Sequence, residues 1–154
     1  MFKVCDESNL EQINYFLSLF NQPMLVDLNS NPFTKYILYL EGNNYIGFIQ
    51  YSIIYDRAEL DYIYVDDKFR SSGIGSKLMN EVELLAKQKG INKIKLITTN
   101  DNLQALKFYQ KRGYRIVRVI TDAVVKAREI KPSIPFIGND GIPLNDELEL
   151  VKLL

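Results

Sequence analysis

The chain has 154 residues, 47% of them hydrophobic and 25% charged, with 19 basic and 19 acidic side chains. This length and composition fit one domain over residues 1–154 with a substantial buried core. A formal charge of zero argues against a broad electrostatic grip on nucleic acid or an anionic membrane.

"FKVCD" at the start predicts a short strand. "SNLEQINYFLSLF" follows as a helix, with Leu10, Ile13, Phe16, Leu17 and Phe20 at helical spacing and Ser8 as its cap. "NQPMLVDLNSNPF" is rich in Pro and Asn and reads as a loop or as carrying a short broken helix. Residues 35–67 then read as three strands, separated by turns at "EGNN" and "YDRA", which implies an antiparallel meander. From Ser72 the pattern becomes an amphipathic helix with Ile74, Leu78, Val82, Leu85 and Ala86 on one face, ending at Gly90. "INKIKLITT" is a strand. "DNLQALKFYQKRG" is a helix capped by Asp101 or Asn102 and stopped at Gly113. "YRIVRVI" and the closing "DELELVKLL" are strands. Between these two lies a long loop, "KPSIPFIGNDGIPL", whose Ile134, Phe136, Ile137 and Ile142 should rest against the domain, a substrate or another subunit. The order β-α-β-β-β-α-β-α-β-β predicts an α/β (α+β) fold, with a right-handed parallel β-α-β crossover inside a mixed sheet.

The strand-to-helix junction "RSSGIG" (residues 70–75) is the most informative stretch. A helix start exposes unpaired N–H groups at the positive end of the macrodipole. Gly73 and Gly75 let an anion approach that backbone without meeting Cβ atoms. Arg70 adds a guanidinium, and Ser71, Ser72 and Ser76 add hydroxyl donors. A phosphate or pyrophosphate is the natural ligand. The stretch is not a Walker A loop. It also lacks the third glycine of the dinucleotide fingerprint, where Leu78 stands.

The absence of histidine removes Ser-His-Asp and Cys-His catalysis and the usual zinc sites, so no metal is expected. Any acid or base must be a carboxylate, Tyr, Lys, the thiol or water. The one cysteine, Cys5, excludes an internal disulfide, fits a reducing cytoplasm and reads as structural. The N-terminus turns polar by residue 6, unlike a signal peptide, and no apolar run approaches the roughly 18 residues of a membrane span.

Two stretches carry a family resemblance. "ELDYIYVDDKFRSSGIGSKLM" resembles motif A of the GNAT N-acetyltransferase superfamily, R/Q-x-x-G-x-G/A after a strand, at Arg70, Gly73 and Gly75. Asp67 stands where that family often has Pro. "NLQALKFYQKRGYRIV" resembles the second motif of that family through Asn102, Ala105, Phe108, Tyr109, Gly113 and Tyr114, with Tyr114 in place of Phe. The resemblance covers most of the chain and is weakest over residues 8–35 and 121–146. It implies a mostly antiparallel twisted sheet and acetyl-CoA as co-substrate. The pantetheine arm would pair with the backbone of Ile63, Tyr64 and Val65. The pyrophosphate would sit on the amides of Ser71, Ser72, Gly73, Ile74, Gly75 and Ser76, beside Arg70. Asn102 would bond the pantetheine arm or shape the second wall.

The implied reaction is direct attack of an amine on the thioester through a tetrahedral oxyanion, which a backbone N–H such as that of Val65 would stabilise. Tyr109 matches the family's usual donor to the departing thiolate. Glu59 stands where several relatives carry a base, with Asp61 as second choice; strict alternation puts Glu59, Asp61, Ile63 and Val65 on one face. Lys68, Lys77, Lys107 and Lys111 are candidates for the 3′-phosphate, although surface lysines are common. The acceptor is a small-molecule or peptide amine set by residues 21–35, the first helix and residues 131–145, where Asp27, Asp140 and Asp146 could attract a cation. A non-catalytic acetyl-CoA sensor is the alternative. Nucleic acid and membrane are not expected partners, and a homodimer through the apolar loop and last strands is.

Overall fold

Near-continuous apolar runs between residues 34 and 65 make three long strands, the first two buried on both faces, and tight turns set their order. β2 (Thr34–Glu41), β3 (Asn44–Ile54) and β4 (Arg57–Val65) run antiparallel, and β1 (Phe2–Val4) pairs with β2. The computed structural model describes residues 1–20 and 22–154; Asn21, at the start of the expected loop, lies outside the described residues. The chain forms two compact units, Met1–Asn92 and Lys93–Leu154.

In the first unit a short 3₁₀ turn (Glu7–Asn9) leads into α1 (Leu10–Leu19). That turn moves the cap upstream of the expected Ser8. Asp6 accepts the Ser8 N–H at 2.9 Å, and the Asn9 side chain accepts the Asp6 N–H at 3.3 Å. α1 buries Ile13, Phe16 and Leu17 against Tyr36, Leu38, Leu40 and Phe48 of the sheet, with Phe16 stacked on Phe48 at 5.3 Å. The mostly exposed loop after α1 is tied back by Asn14. Its amide accepts the Leu25 N–H at 2.7 Å and donates to the Leu25 carbonyl at 3.0 Å.

α2 (Ile74–Gln88) packs on the opposite face, because successive residues of β3 point to opposite sides. Phe48 meets α1, and Gly47 meets α2. A Cβ at Gly47 would stand 3.1 Å from Leu78 Cδ1, 3.2 Å from the Tyr64 carbonyl and 3.3 Å from Ile74 Cγ2. The glycine therefore sets how closely helix and sheet approach. Ile74, Leu78, Met79, Val82 and Ala86 are buried there, together with Glu83. Leu85, expected on this stripe, is only half-buried.

In the second unit β5 (Lys93–Thr99) and β6 (Arg115–Ile120) both pair antiparallel with β7 (Glu147–Leu153). Every pairing described within either unit is antiparallel, as expected for a mostly antiparallel α/β fold. α3 (Leu103–Lys111) ends with Tyr114 N–H on the Tyr109 carbonyl and Gly113 N–H on the Gln110 carbonyl, the paired closure of a Schellman motif. α4 (Ala123–Ile130) was not expected from the sequence. It buries Val124 and Arg128, and a guanidinium at the inward position breaks the apolar pattern that marks a helix. Arg128 donates to the carbonyls of Ile134, Pro135 and Leu144 at 3.0, 2.9 and 2.7 Å and lies 4.3 Å from the Phe136 ring centre. The expected long loop is thus ordered around one buried cation.

Replacing Gly47 by Val should destabilise the fold by about 1–3 kcal/mol through overpacking of the α2 contact. A urea midpoint lowered at unchanged slope would show it; an unchanged midpoint would mean that the helix shifts freely.

Candidate functional site

The end of β4 is pinned by the Asp66 N–H on the Ile46 carbonyl at 2.8 Å. The chain then makes a 3₁₀ turn (Asp67–Phe69), capped by the Asp66 carboxylate on the Lys68 N–H at 2.9 Å. Ser71 follows at φ 65 and Gly73 at φ 83, and α2 begins without a side-chain cap. Left-handed residues next to right-handed ones turn successive N–H groups toward one concavity, the arrangement called a nest. The first amides of α2 have no intrahelical carbonyl. A Cβ placed at Gly73 would meet nothing within 4 Å, so the approach to this backbone is open. The residues therefore fit an anion such as a pyrophosphate.

Two expected donors are partly engaged. Ser72 gives both its N–H, at 3.3 Å, and its hydroxyl to the Phe69 carbonyl. Arg70 pairs with Asp67 at 2.6 Å, but both side chains are mostly exposed, so the pair is weak and the guanidinium can re-aim. Ser71, Ser72 and Gly73 are exposed, and Gly75 and Ser76 are half-buried. Ile74 offers only its backbone, since its side chain is in the core.

The face assignment on β4 needs correction. Gln50 pairs with Tyr62, but Tyr51 pairs with Leu60, so Asp61 is an extra residue in a β-bulge. The bulge reverses the alternation. Ile63 and Val65 lie opposite Ile49 and Gly47, on the α2 side. Tyr62 and Tyr64 lie opposite Gln50 and Phe48, on the α1 side, and Glu59 joins them opposite Ser52. Glu59 therefore does not share a face with Ile63 and Val65. Asp61 accepts from the Ser52 hydroxyl at 3.0 Å and from the Gln50 amide at 3.5 Å, so it too belongs to the α1 side.

In the second unit Asn102 is the cap of α3, accepting the Ala105 N–H at 3.3 Å. Its amide nitrogen is the group left for a ligand. Asp101, the other cap candidate, is buried instead. It accepts from Thr99, and from the backbone and side-chain N–H groups of Asn139 at 2.7 and 3.0 Å. Tyr109 packs edge-on to Phe108 at 5.5 Å and near Tyr114 at 6.1 Å. Burial pushes its hydroxyl up to about 12.

Other candidates resolve more simply. The Cys5 thiol is pushed up to about 12 by burial, which removes it as a nucleophile. Lys68, Lys107 and Lys111 are exposed, and Lys77 lies 5.7 Å above the Tyr39 ring. Asp27 accepts the Asn29 N–H and Asp146 accepts the Asp122 N–H, both at 2.8 Å. Those two carboxylates stabilise local backbone. Asp140 is exposed in a turn. No group of acidic or thiol side chains suited to a metal occurs among the described residues. The cluster around Asp61 was missed from sequence, because nothing in a single strand's pattern marks a bulge.

A sequence model described as "Acetyltransferase (GNAT) family" matches residues 4–114. The chain belongs to the GNAT acetyltransferase family. It is 41% identical over 126 residues to the Bacillus subtilis protein YxbD, covering 82% of this chain and 78% of that one. It is 35% identical over 71 residues to a spermidine N(1)-acetyltransferase of Thermoplasma acidophilum, covering 46% and 44%. A Bacillus subtilis acetyltransferase solved in complex with CoA has the same fold, with a TM-score of 0.82 at 22% identity over 99% of this chain and 97% of that one.

The raised pKa of Tyr109 gives a test. The charged form of tyrosine is the deprotonated one, and folding moves its pKa from 10.0 to about 12. The linked stability is therefore complete below pH 10 and disappears as pH rises through about 12. Tyrosinate absorbance of wild type and Tyr109→Phe should superimpose up to about pH 11. An extra ionisation in the wild type below that would show a solvated hydroxyl.

Proposed function

We propose that this GNAT-family protein transfers the acetyl group of acetyl-CoA directly to a primary amine of a small molecule or peptide. The observation that carries the reading is the Ser71–Gly73 turn, with its two left-handed residues and open approach at the start of α2. Acetyl-CoA supplies an activated acyl thioester. The amides of residues 71 and 73–76 hold its pyrophosphate, with Arg70 swinging from Asp67 to assist. The backbone of Ile63, Tyr64 and Val65 lines the pantetheine arm, and the Asn102 amide nitrogen offers it a donor.

Tyr109 stays protonated throughout the neutral range. A thiol with a pKa near 8.5 does not take its proton outright, so the hydroxyl acts as a hydrogen-bond donor to the departing sulfur. Glu59, which does not share a face with Ile63 and Val65, receives the proton of the attacking amine through water. The spermidine acetyltransferase among the relatives supports an amine as acceptor. The exposed Phe136 and Ile137, with Ile116 and Val119 on β6, support a homodimer. Light scattering that finds a monomer at micromolar concentration would overturn the dimer.

Calorimetric titration of acetyl-CoA tests the central reading. Wild type should bind with micromolar affinity, and Gly73→Glu, which puts a carboxylate into the anion site, should abolish binding while remaining folded by circular dichroism. No binding by folded wild type would refute the site. Tyr109→Phe should lower kcat by about 10²-fold with little change in acetyl-CoA affinity. Binding without turnover on any amine would indicate the sensor.

A further inference from the structure

The β4 bulge builds a polar cluster on the α1 side of the first unit's sheet. Asp61 takes hydrogen bonds from Ser52 and Gln50 there. Tyr36, 6% exposed, stands beside Gln50 in the β2–β3 register, and Tyr62 stands beside it in the β3–β4 register. Both tyrosine hydroxyls are held above their usual pKa by burial first and then by the Asp61 charge, which places the carboxylate close to both rings. Phe20 packs on Tyr62 with ring centres 4.8 Å apart. The Gln50 amide oxygen is buried and has no hydrogen-bond donor among the described residues. An acceptor without a donor at such a position costs about 1–3 kcal/mol, so it calls for a partner.

A carboxylate beside an unmet amide oxygen, walled by aromatic rings, suits a group that is cationic and rich in N–H. Asp61 is two residues before Ile63 on the same strand, about 7 Å at the usual rise. We propose that Asp61, Gln50, Tyr36 and Tyr62 form a recognition site for a second, non-reacting ammonium, so that the acceptor is an aliphatic diamine or polyamine. This rests on the acetyltransferase reading, in which the acyl donor lies along Ile63–Val65. A spacer of roughly three or four methylenes would join the two nitrogens across that gap. The site differs from the acids expected at positions 27 and 146, which are bound to backbone N–H groups. Asp61 acts here in recognition of the ammonium that does not react.

The test is calorimetric titration of 1,4-diaminobutane and of n-butylamine into the protein, with and without CoA, followed by the same titrations on Asp61→Asn. The diamine should bind at least about tenfold more tightly than the monoamine, the difference expected for one charge-assisted hydrogen-bonded ammonium. Asp61→Asn should erase that preference while binding acetyl-CoA like wild type. Should Asp61→Asn fail to fold, Ser52→Ala, which removes one donor that orients the carboxylate, should shrink the preference. Equal binding of the two amines by wild type overturns the inference, as does a preference that survives in Asp61→Asn. The acetyl-CoA titration is separate. Its failure would strike the acetyltransferase reading, whereas failure of the diamine alone strikes only this one.

Discussion

One absent side chain governs the geometry of the first unit. Gly47 lets α2 lie against β3 so closely that Ile74, Leu78 and the Tyr64 carbonyl crowd the space a Cβ would fill. The first residue of α2 is buried at that contact, so the start of the helix is fixed by core packing rather than by a cap. The end of β4 is held by Asp66 on Ile46, from the same stretch of β3. Both ends of the connecting loop are therefore anchored to neighbouring residues of one strand. The loop can then keep two left-handed residues, which isolated chain would not hold in place.

The anion site proposed for this loop would depend on backbone dipoles more than on charge. Asp66 and Asp67 lie beside it, and Arg70 is already matched with Asp67. Local charge is thus close to balanced, in keeping with the neutral composition of the chain. Such a site would select a ligand by the direction of its N–H groups, which a compact pyrophosphate can satisfy and a diffuse polyanion cannot.

β4 serves two faces at once, and the bulge at Asp61 is how it does so. Before the bulge the buried residues are Ala58 and Leu60, and after it Tyr62 and Tyr64 turn toward α1. Without the extra residue, Glu59 would point to the α2 side with Ile63 and Val65. The bulge instead gathers carboxylates, amide and tyrosines on the α1 side. In the second unit, two buried charges do comparable work for the chain itself. Arg128 and Asp101 order residues 134–144 by meeting backbone groups that a loop would otherwise leave to water.

The sequence by itself determined the strands and the helices α1, α2 and α3, the glycine-rich turn at residues 70–75, and the second motif from Asn102 to Tyr114. These are local patterns, in which apolar spacing and turn chemistry act over a few neighbouring residues. α4 escaped because its inward residue Arg128 is charged, and its partners are carbonyls six to sixteen residues away. The face of Glu59 was decided by tertiary structure for the same reason, whereas the cap before α1 is local, Asp6 and Asn9 closing on each other. A bulge exists only in the register between two strands, so no reading of β4 alone can place it. The Asp61 cluster, drawn from β2, β3 and β4 together, came into view only when those registers were set.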